Sequence, residues 1–293
     1  MEGTDLLKIL AAAIQMASEP RQVASNVDRA DALLRRAHLE GASIAVLPEM
    51  FNTGYGFIAD FAPLAENRDG ATIRHLSSRS REWNMAIAAG FVEHDGHHLY
   101  DSVAFVMPDG STSVYRKRNL VFWERFRFFP GQNPLVVETP WGRVGFAVCA
   151  DMIYRKVWAE YRDRIDVAVI AAAWPDFANR LTGKKNWLLG HVGPMSAAIP
   201  GKVAVDLGVP VVFSNQVGET ETFVPIVNQR IPDRFAGQSS VSDGRHASTV
   251  AASGVDEQVV LAPITIHPSG GPRTWRSTFP SVPAERYSGS GPR

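Results

Sequence analysis

Only one cysteine, Cys149, stands in the 293 residues. That excludes an internal disulfide framework and a zinc site built on cysteines. The eight histidines show no H-E-x-x-H or other ligand spacing, which disfavours a metal hydrolase. Neither sign of charge is in excess, with 30 basic and 30 acidic residues and no long like-charge run. A general electrostatic grip on nucleic acid is therefore not expected. No apolar run is long enough to cross a bilayer. The patch from Ile9 to Ile14 follows Asp5 and Lys8, ends at Gln15 and lacks a cleavage pattern, so it reads as a strand. No repeat and no linker splits the chain. The default setting is soluble and cytoplasmic, with no nucleic acid and no membrane as partner.

What is present is ample core material: 45% of the residues are hydrophobic. Leu7 to Met16 and Ser43 to Leu47 read as buried strands, and Gln22 to His38 and Thr72 to Trp83 as helices. Met85 to Val92, Leu99 to Met107 and Ser113 to Arg118 read as strands separated by the turns His94-Asp95-Gly96 and Pro108-Asp109-Gly110. Val144 to Val148 and Val167 to Ala172 are further buried strands. Lys202 to Leu207 belongs to a helix ending at Gly208, followed by a strand from Val209 to Ser214. Three short strands close the pattern, at Ser239 to Ser242, Thr249 to Ala252 and Val259 to Ile266. Helices alternating with strands predict a layered α/β domain over residues 1–280 with two stacked sheets. Residues 281–293, rich in Ser, Gly and Pro, read as a surface tail.

Cys149 falls where an apolar strand, Arg143 to Val148, runs into a polar segment with Val157, Trp158 and Tyr161 at helical spacing. A lone cysteine is ordinarily a small buried hydrophobe. At a strand end before a helix, the helix N-terminus would instead favour its thiolate. Two charged residues also sit at apolar strand ends, and a third follows in the next loop. Glu49 follows Ala45-Val46-Leu47-Pro48, Lys117 lies in Val114-Tyr115-Arg116-Lys117-Arg118, and Glu124 lies seven residues on, between Trp123 and Arg125. Singly they read as a cap or loop salt bridge, a solvated cation and a partner of Arg125. Together they supply a base, an oxyanion-stabilising ammonium and a thiol nucleophile where layered α/β folds gather their sites.

The blocks Leu47-Pro48-Glu49-Met50-Phe51-Asn52-Thr53-Gly54-Tyr55, then Tyr115-Arg116-Lys117-Arg118-Asn119-Leu120 with Phe129-Pro130-Gly131, then Gly145-Phe146-Ala147-Val148-Cys149-Ala150-Asp151 resemble the three signatures of the nitrilase superfamily of carbon–nitrogen hydrolases. The resemblance runs from Leu7 to about Ile266. It implies a four-layer α-β-β-α sandwich and a Glu-Lys-Cys triad. On that pattern Glu49 is the general base, Cys149 the nucleophile and Lys117 the stabiliser of the tetrahedral intermediate. Glu124 matches a second glutamate that orients substrate and Lys117. The Ala150 backbone N–H would be a further oxyanion donor, and Asn215 matches a block near the site or is a strand-end turn residue. Two departures narrow the reading. Ala150 stands where amidase members usually carry an aromatic residue, and the Trp-Glu of nitrile-cleaving members is absent. The amide or carbamoyl branch is therefore expected, with a nitrilase or an idle binding scaffold as alternatives.

Tyr55, Phe122, Trp123 and Trp174 are candidate pocket residues; the first three could equally be core, while Trp174 ends an apolar run at a strand C-terminus, which favours the pocket. Asp176, Arg180 and His191 could contact polar groups, and Asn179 to Ile199 reads as a loop that shapes specificity. No metal and no organic cofactor is expected, since the chain supplies nucleophile, base and oxyanion donors. A homodimer or larger assembly through the helix after Cys149 and the C-terminal segment is expected, both from the resemblance and because Val157, Trp158 and Tyr161 would be exposed on an outer helix.

Overall fold

The computed structural model describes residues 6–56, 60–177, 193–224, 229–244 and 248–267. In chain order the elements begin with β1 (Leu7–Ala17), α1 (Val23–Leu39), β2 (Ile44–Val46), α2 (Ala71–Trp83), β3 (Ala86–His94), β4 (Leu99–Val106) and β5 (Thr112–Arg116). They continue with β6 (Val136–Thr139), β7 (Gly142–Val148), α3 (Arg155–Tyr161), β8 (Val167–Ala172), α4 (Met195–Leu207) and β9 (Val211–Val217). The last are β10 (Glu219–Val224), β11 (Gln229–Arg234), β12 (Ser240–Asp243), β13 (Ser248–Ala251) and β14 (Gln258–Ile266).

Side-chain alternation decides the layers. Successive residues of a strand face opposite sides, and here both sides of the first sheet are buried. Ala11, Ala13, Ile44, Val46, Ala86, Ala88, Val103 and Phe105 point into one core together with the apolar residues of β7, β8 and β9. Their neighbours Ala12, Ile14, Ala45, Leu47, Ile87, Ala89, Ala104 and Val106 point into a second core against Leu33 and Leu34 of α1 and Ile73 and Leu76 of α2. The first sheet runs β5-β4-β3-β2-β1-β14 and the second β6-β7-β8-β9-β12-β13. They join where Met16 and Ala17 of β1 pair with Gln216 and Val217 of β9. With α3 and α4 covering the second sheet, the architecture is the four-layer α-β-β-α sandwich expected. Among the described residues no helix is long and apolar enough to cross a membrane.

The sharp turn expected at Cys149 is a 3-10 turn, Cys149–Ile153, and the helix expected after it is the short α3. The exposure expected for the apolar residues of that helix is corrected. On α3, Val157, Trp158 and Tyr161 are buried within the chain. Trp158 Nε1 donates to the Met152 carbonyl (2.8 Å), and the Tyr161 hydroxyl donates to the Phe146 carbonyl (2.8 Å). The homo-oligomer expectation thereby loses one of its two motives, the exposed apolar face, and keeps the resemblance. The hairpin β10–β11 is absent from the sequence reading, because Pro232 inside it has no N–H to offer a ladder. The expected tail at 281–293, Arg180, His191 and most of the predicted specificity loop lie outside the described residues. Met195 to Ile199 of that loop already form the start of α4.

Tyr161 joins two layers, since its hydroxyl also accepts from the Leu135 N–H at 3.1 Å. Tyr161→Phe should leave both backbone groups short of a partner and lower stability by about 1–3 kcal/mol, read as an earlier denaturation midpoint with an unchanged slope.

Candidate active site

Strand ends deliver the site residues. β2 runs into Pro48-Glu49-Met50, where Met50 takes φ +48°. Gly90 of β3 makes this turn possible, because a Cβ there would lie 2.4 Å from Glu49 Cα and 2.5 Å from the Pro48 carbonyl oxygen. Lys117 follows β5, and its carbonyl accepts the Gly131 N–H at 2.7 Å. A Cβ on Gly131 would meet the Arg116 carbonyl oxygen at 2.2 Å, so the glycine of Phe129-Pro130-Gly131 lets the loop close back on β5. Within that loop the 3-10 turn Phe122–Phe126 carries Glu124.

β7 ends at Val148, and Cys149 turns out of it at φ +46°. A non-glycine residue in this region costs about 1–2 kcal/mol, and such strain points to a function. Asp151 locks the turn. Its carboxylate accepts from the Val148 N–H (3.2 Å), the Tyr115 hydroxyl (2.9 Å), the Asn119 N–H (2.9 Å) and Asn119 Nδ2 (2.7 Å). The cysteine turn and the loop after Lys117 are thereby tied together.

Glu49, Lys117 and Glu124 are fully buried, and Cys149 is 4% exposed. Lys117 Nζ lies 2.6 Å from Glu49 Oε1 and 2.7 Å from Glu124 Oε1. Glu49 Oε2 accepts the Ala173 N–H (2.7 Å), while its backbone carbonyl accepts from Gln216 Nε2 (2.7 Å). Glu124 Oε2 accepts the Val121 N–H at 2.9 Å, and the Tyr55 hydroxyl donates to its Oε1 at 2.8 Å. Glu124 is therefore no surface partner of Arg125. A third carboxylate, missed in the sequence, completes the cluster: Asp101 Oδ2 lies 3.0 Å from Lys117 Nζ. Asp101 shares a strand face with Val103 and Phe105, and that alternation was the signal available for it. Oxygens of Glu49, Asp101 and Glu124 all fall within 4.8 Å of one another, a grouping of metal-ligand type that sequence spacing did not show. Here the Lys117 ammonium stands against all three.

Burial alone would drive the proton off Lys117, but Asp101, Glu124 and Glu49 together hold its pKa well above the ordinary lysine value. Burial raises the pKa of Glu124, partly offset by Lys117. The thiol of Cys149 is pushed well up, first by burial and next by the Glu49 charge. This corrects the expected thiolate: a single 3-10 turn offers too little positive potential to outweigh desolvation and a carboxylate.

The remaining candidates divide. Ala150, 2% exposed, is the second residue of the 3-10 turn, where backbone N–H groups have no partner inside the turn. Tyr55 touches Glu124 and stacks obliquely on Trp123, their ring centroids 5.2 Å apart. Trp123 also lies flat against Phe61 at 5.9 Å, so it walls the Glu124 side. The Phe122 side chain lies outside the described residues. Trp174 is buried at the end of β8, and its N–H donates to Asn215 Oδ1 at 2.7 Å. Asn215 lies within β9 rather than in a turn. Its Oδ1 also accepts the Gln216 N–H (3.0 Å), and its Nδ2 donates to the carbonyls of Gly237 (2.7 Å) and Trp174 (3.4 Å). Its amide is thus fully occupied by backbone, and it fixes Trp174 instead of meeting a substrate. Asp176 pairs with Arg234.

Comparison with known proteins identifies the family and agrees with the fold. The description of the carbon-nitrogen hydrolase family matches residues 10–267. A nitrilase of Pyrococcus abyssi is 27% identical over 267 residues, covering 88% of this chain and 90% of that protein. The human omega-amidase is 32% identical over 175 residues, 56% of this chain and 62% of that enzyme. A CN-hydrolase superfamily protein of Xanthomonas campestris superimposes with a TM-score of 0.69 at 22% identity, covering 89% of this chain and 91% of that one. An amidase from Nesterenkonia sp., solved with acrylamide added at its active-site cysteine, gives 0.69 at 17% identity, covering 86% and 92%.

Lys117→Met would leave three buried carboxyls without their cation, at a cost of about 3–5 kcal/mol near neutral pH. Those carboxyls would then hold protons more tightly folded than unfolded. Stability should therefore be highest at acid pH and fall as pH rises above the unfolded carboxyl value of about 4. Thermal melts of the variant should show a higher Tm at pH 5 than at pH 8, relative to the parent.

Proposed function

The chain belongs to the carbon–nitrogen hydrolase family, and from that premise we propose that it is a thiol hydrolase of small amides or N-carbamoyl compounds. The observation supporting this most is a strained cysteine beside a carboxylate and an ammonium that are both fully buried. Glu49 takes the Sγ–H proton as sulfur attacks the substrate carbonyl carbon. The C=O electron pair moves onto oxygen, where Lys117 and the Ala150 N–H stabilise it. Collapse breaks the C–N bond, Glu49 returns the proton to nitrogen, and ammonia leaves. Water attacks the resulting thioester and gives a proton to Glu49. The second collapse releases the acid and reprotonates the cysteine sulfur.

Because the resting thiol is neutral, Glu49 has to act during the attack rather than before it. Glu124, supported by Tyr55, keeps Lys117 charged and holds the substrate carbonyl in line. Trp123, packed on Tyr55, and Trp174, next to the Ala173 N–H that bonds Glu49, are the aromatic residues placed to meet substrate. The nitrilase relative supports a second reading, conversion of a nitrile to acid and ammonia on the same groups. The amide reading is preferred because Ala150-Asp151 replaces Trp-Glu after the cysteine, and the Asp151 carboxylate is spent on holding the turn. A binding scaffold without activity would have no use for four ionisable groups buried at such cost. Ammonia release from a panel of amides, carbamoyl compounds and nitriles separates the three readings.

Cys149→Ala should fold normally and turn over below about 1% of wild type, since it removes the chain's only cysteine. Higher residual activity places the chemistry elsewhere.

Glu124→Gln, nearly isosteric, should keep thiol labelling and the melting curve while lowering turnover on the order of 10²-fold. Unchanged turnover removes Glu124 from the chemistry.

A further inference from the structure

Asp101 is the residue of the buried cluster that the proposed mechanism leaves without a task. It is fully buried, and neither of its carboxyl oxygens receives an aligned hydrogen bond. Its neighbours differ sharply. Glu49 accepts from the Ala173 N–H and Lys117, and Glu124 from the Val121 N–H, Tyr55 and Lys117. A buried carboxylate is stabilised by such donors, and one without them favours its neutral form. Three negative charges around one positive charge would also leave the cluster at net −2 in a site without solvent exposure. A single proton on the carboxyl with the fewest donors brings it to −1.

We propose that Asp101 is a positioning residue that works as the neutral acid, standing against Lys117 without claiming the third N–H of the ammonium. Two of the three N–H groups of Lys117 are committed, to Glu49 and Glu124. The third is what remains for a developing oxyanion. An ionised Asp101, 3.0 Å away, would compete for it and place a negative charge beside the one being formed. A neutral carboxyl competes weakly and adds no charge. Burial first and the Glu49 charge next raise the Asp101 pKa well above the ordinary aspartate value, while Lys117 opposes them. The charged and titratable groups facing Asp101 are Glu49, Lys117 and Glu124, with the Cys149 thiol and Tyr55 hydroxyl beyond them. Glu93 and Arg116 pair with each other at 2.7 Å, with Ser102 bonded to Glu93, and Ser102 points to the opposite strand face from Asp101.

This inference rests on the hydrolase reading for its kinetic consequence but not for its charge state, so the test has two arms. In the first, kcat and KM of wild type and Asp101→Asn are measured from mildly acid to alkaline pH on the best amide substrate. Asparagine imitates the neutral acid. Turnover of the variant near neutrality should stay within about 3-fold of wild type. The wild-type kcat should fall at alkaline pH as Asp101 ionises, with KM little changed, and this descent should be absent in the variant or displaced upward. A loss of 10²-fold near neutrality with unchanged melting would show that the ionised carboxylate is needed and would overturn the proposal, as would identical pH profiles. The second arm needs no substrate. The infrared difference between the two proteins at neutral pH should contain the C=O stretch of a protonated carboxyl, lost in the variant. If the variant does not fold, that band is followed in wild type, where it should disappear over the same pH range as the descent in kcat. Absence of the band overturns the proposal even when no substrate is turned over.

Discussion

One ammonium group holds this site together. Lys117 Nζ sits within 3.0 Å of carboxylate oxygens from Glu49, Asp101 and Glu124, contributed by the turn after β2, by β4 and by the loop after β5. All four side chains are fully buried. In such a place each charge alone would cost several kcal/mol, so each is tolerable only because the others are in position. The cluster therefore constrains the chain: the β2 turn, the start of β4 and the loop closed by Gly131 must be in register before the charges can be withdrawn from water.

That constraint explains features at some distance. Gly90 and Gly131 are where backbone passes too close for any side chain. Met50 and Cys149 are not glycines, yet both adopt left-handed backbone. Their strain is offset by the two cores flanking the first sheet, built from alternating small and branched residues. Asp151 then spends its carboxylate on the Cys149 turn and the Asn119 backbone, so the thiol and the Lys117 loop move as one unit.

The layers were legible because strand alternation and helix periodicity act locally, and they survive in the sequence as Ala-Ile-Val runs and spaced leucines. Glu49, Lys117 and Cys149 stand out because charge or thiol at an apolar strand end is unusual, and Glu124 stands out through the family pattern those three complete. Asp101 did not, since one acidic residue inside Tyr100-Asp101-Ser102-Val103 looks like an edge of a strand until its partners are placed. Asn215 was read as a turn or substrate residue, although its amide is engaged by Trp174 and Gly237, neither adjacent in sequence. Trp158 and Tyr161 were expected at a surface because the outer layer covering them, Leu135 and the turn at Met152, is not predictable from their own helix. In each case the missing information is a long-range contact.

The sign of the cluster bears on the whole proposed cycle. With Asp101 neutral the site carries about one net negative charge before substrate enters. An uncharged amide or nitrile pays no electrostatic penalty at the reacting carbon. A preformed thiolate would pay one, since it would stand as a second anion beside Glu49 in a low-dielectric pocket. The raised thiol pKa reflects burial first and that repulsion from Glu49 next. The repulsion is relieved when sulfur gives its proton to Glu49, because the negative charge then moves from the carboxylate to the substrate oxygen near Lys117. At the end of the cycle the product is itself a carboxylic acid. Once ionised, it shares the pocket with Glu49 and Glu124 while Lys117 is already committed to both. The same arrangement that admits a neutral substrate therefore disfavours its charged product, and hydrolysis is drawn toward release.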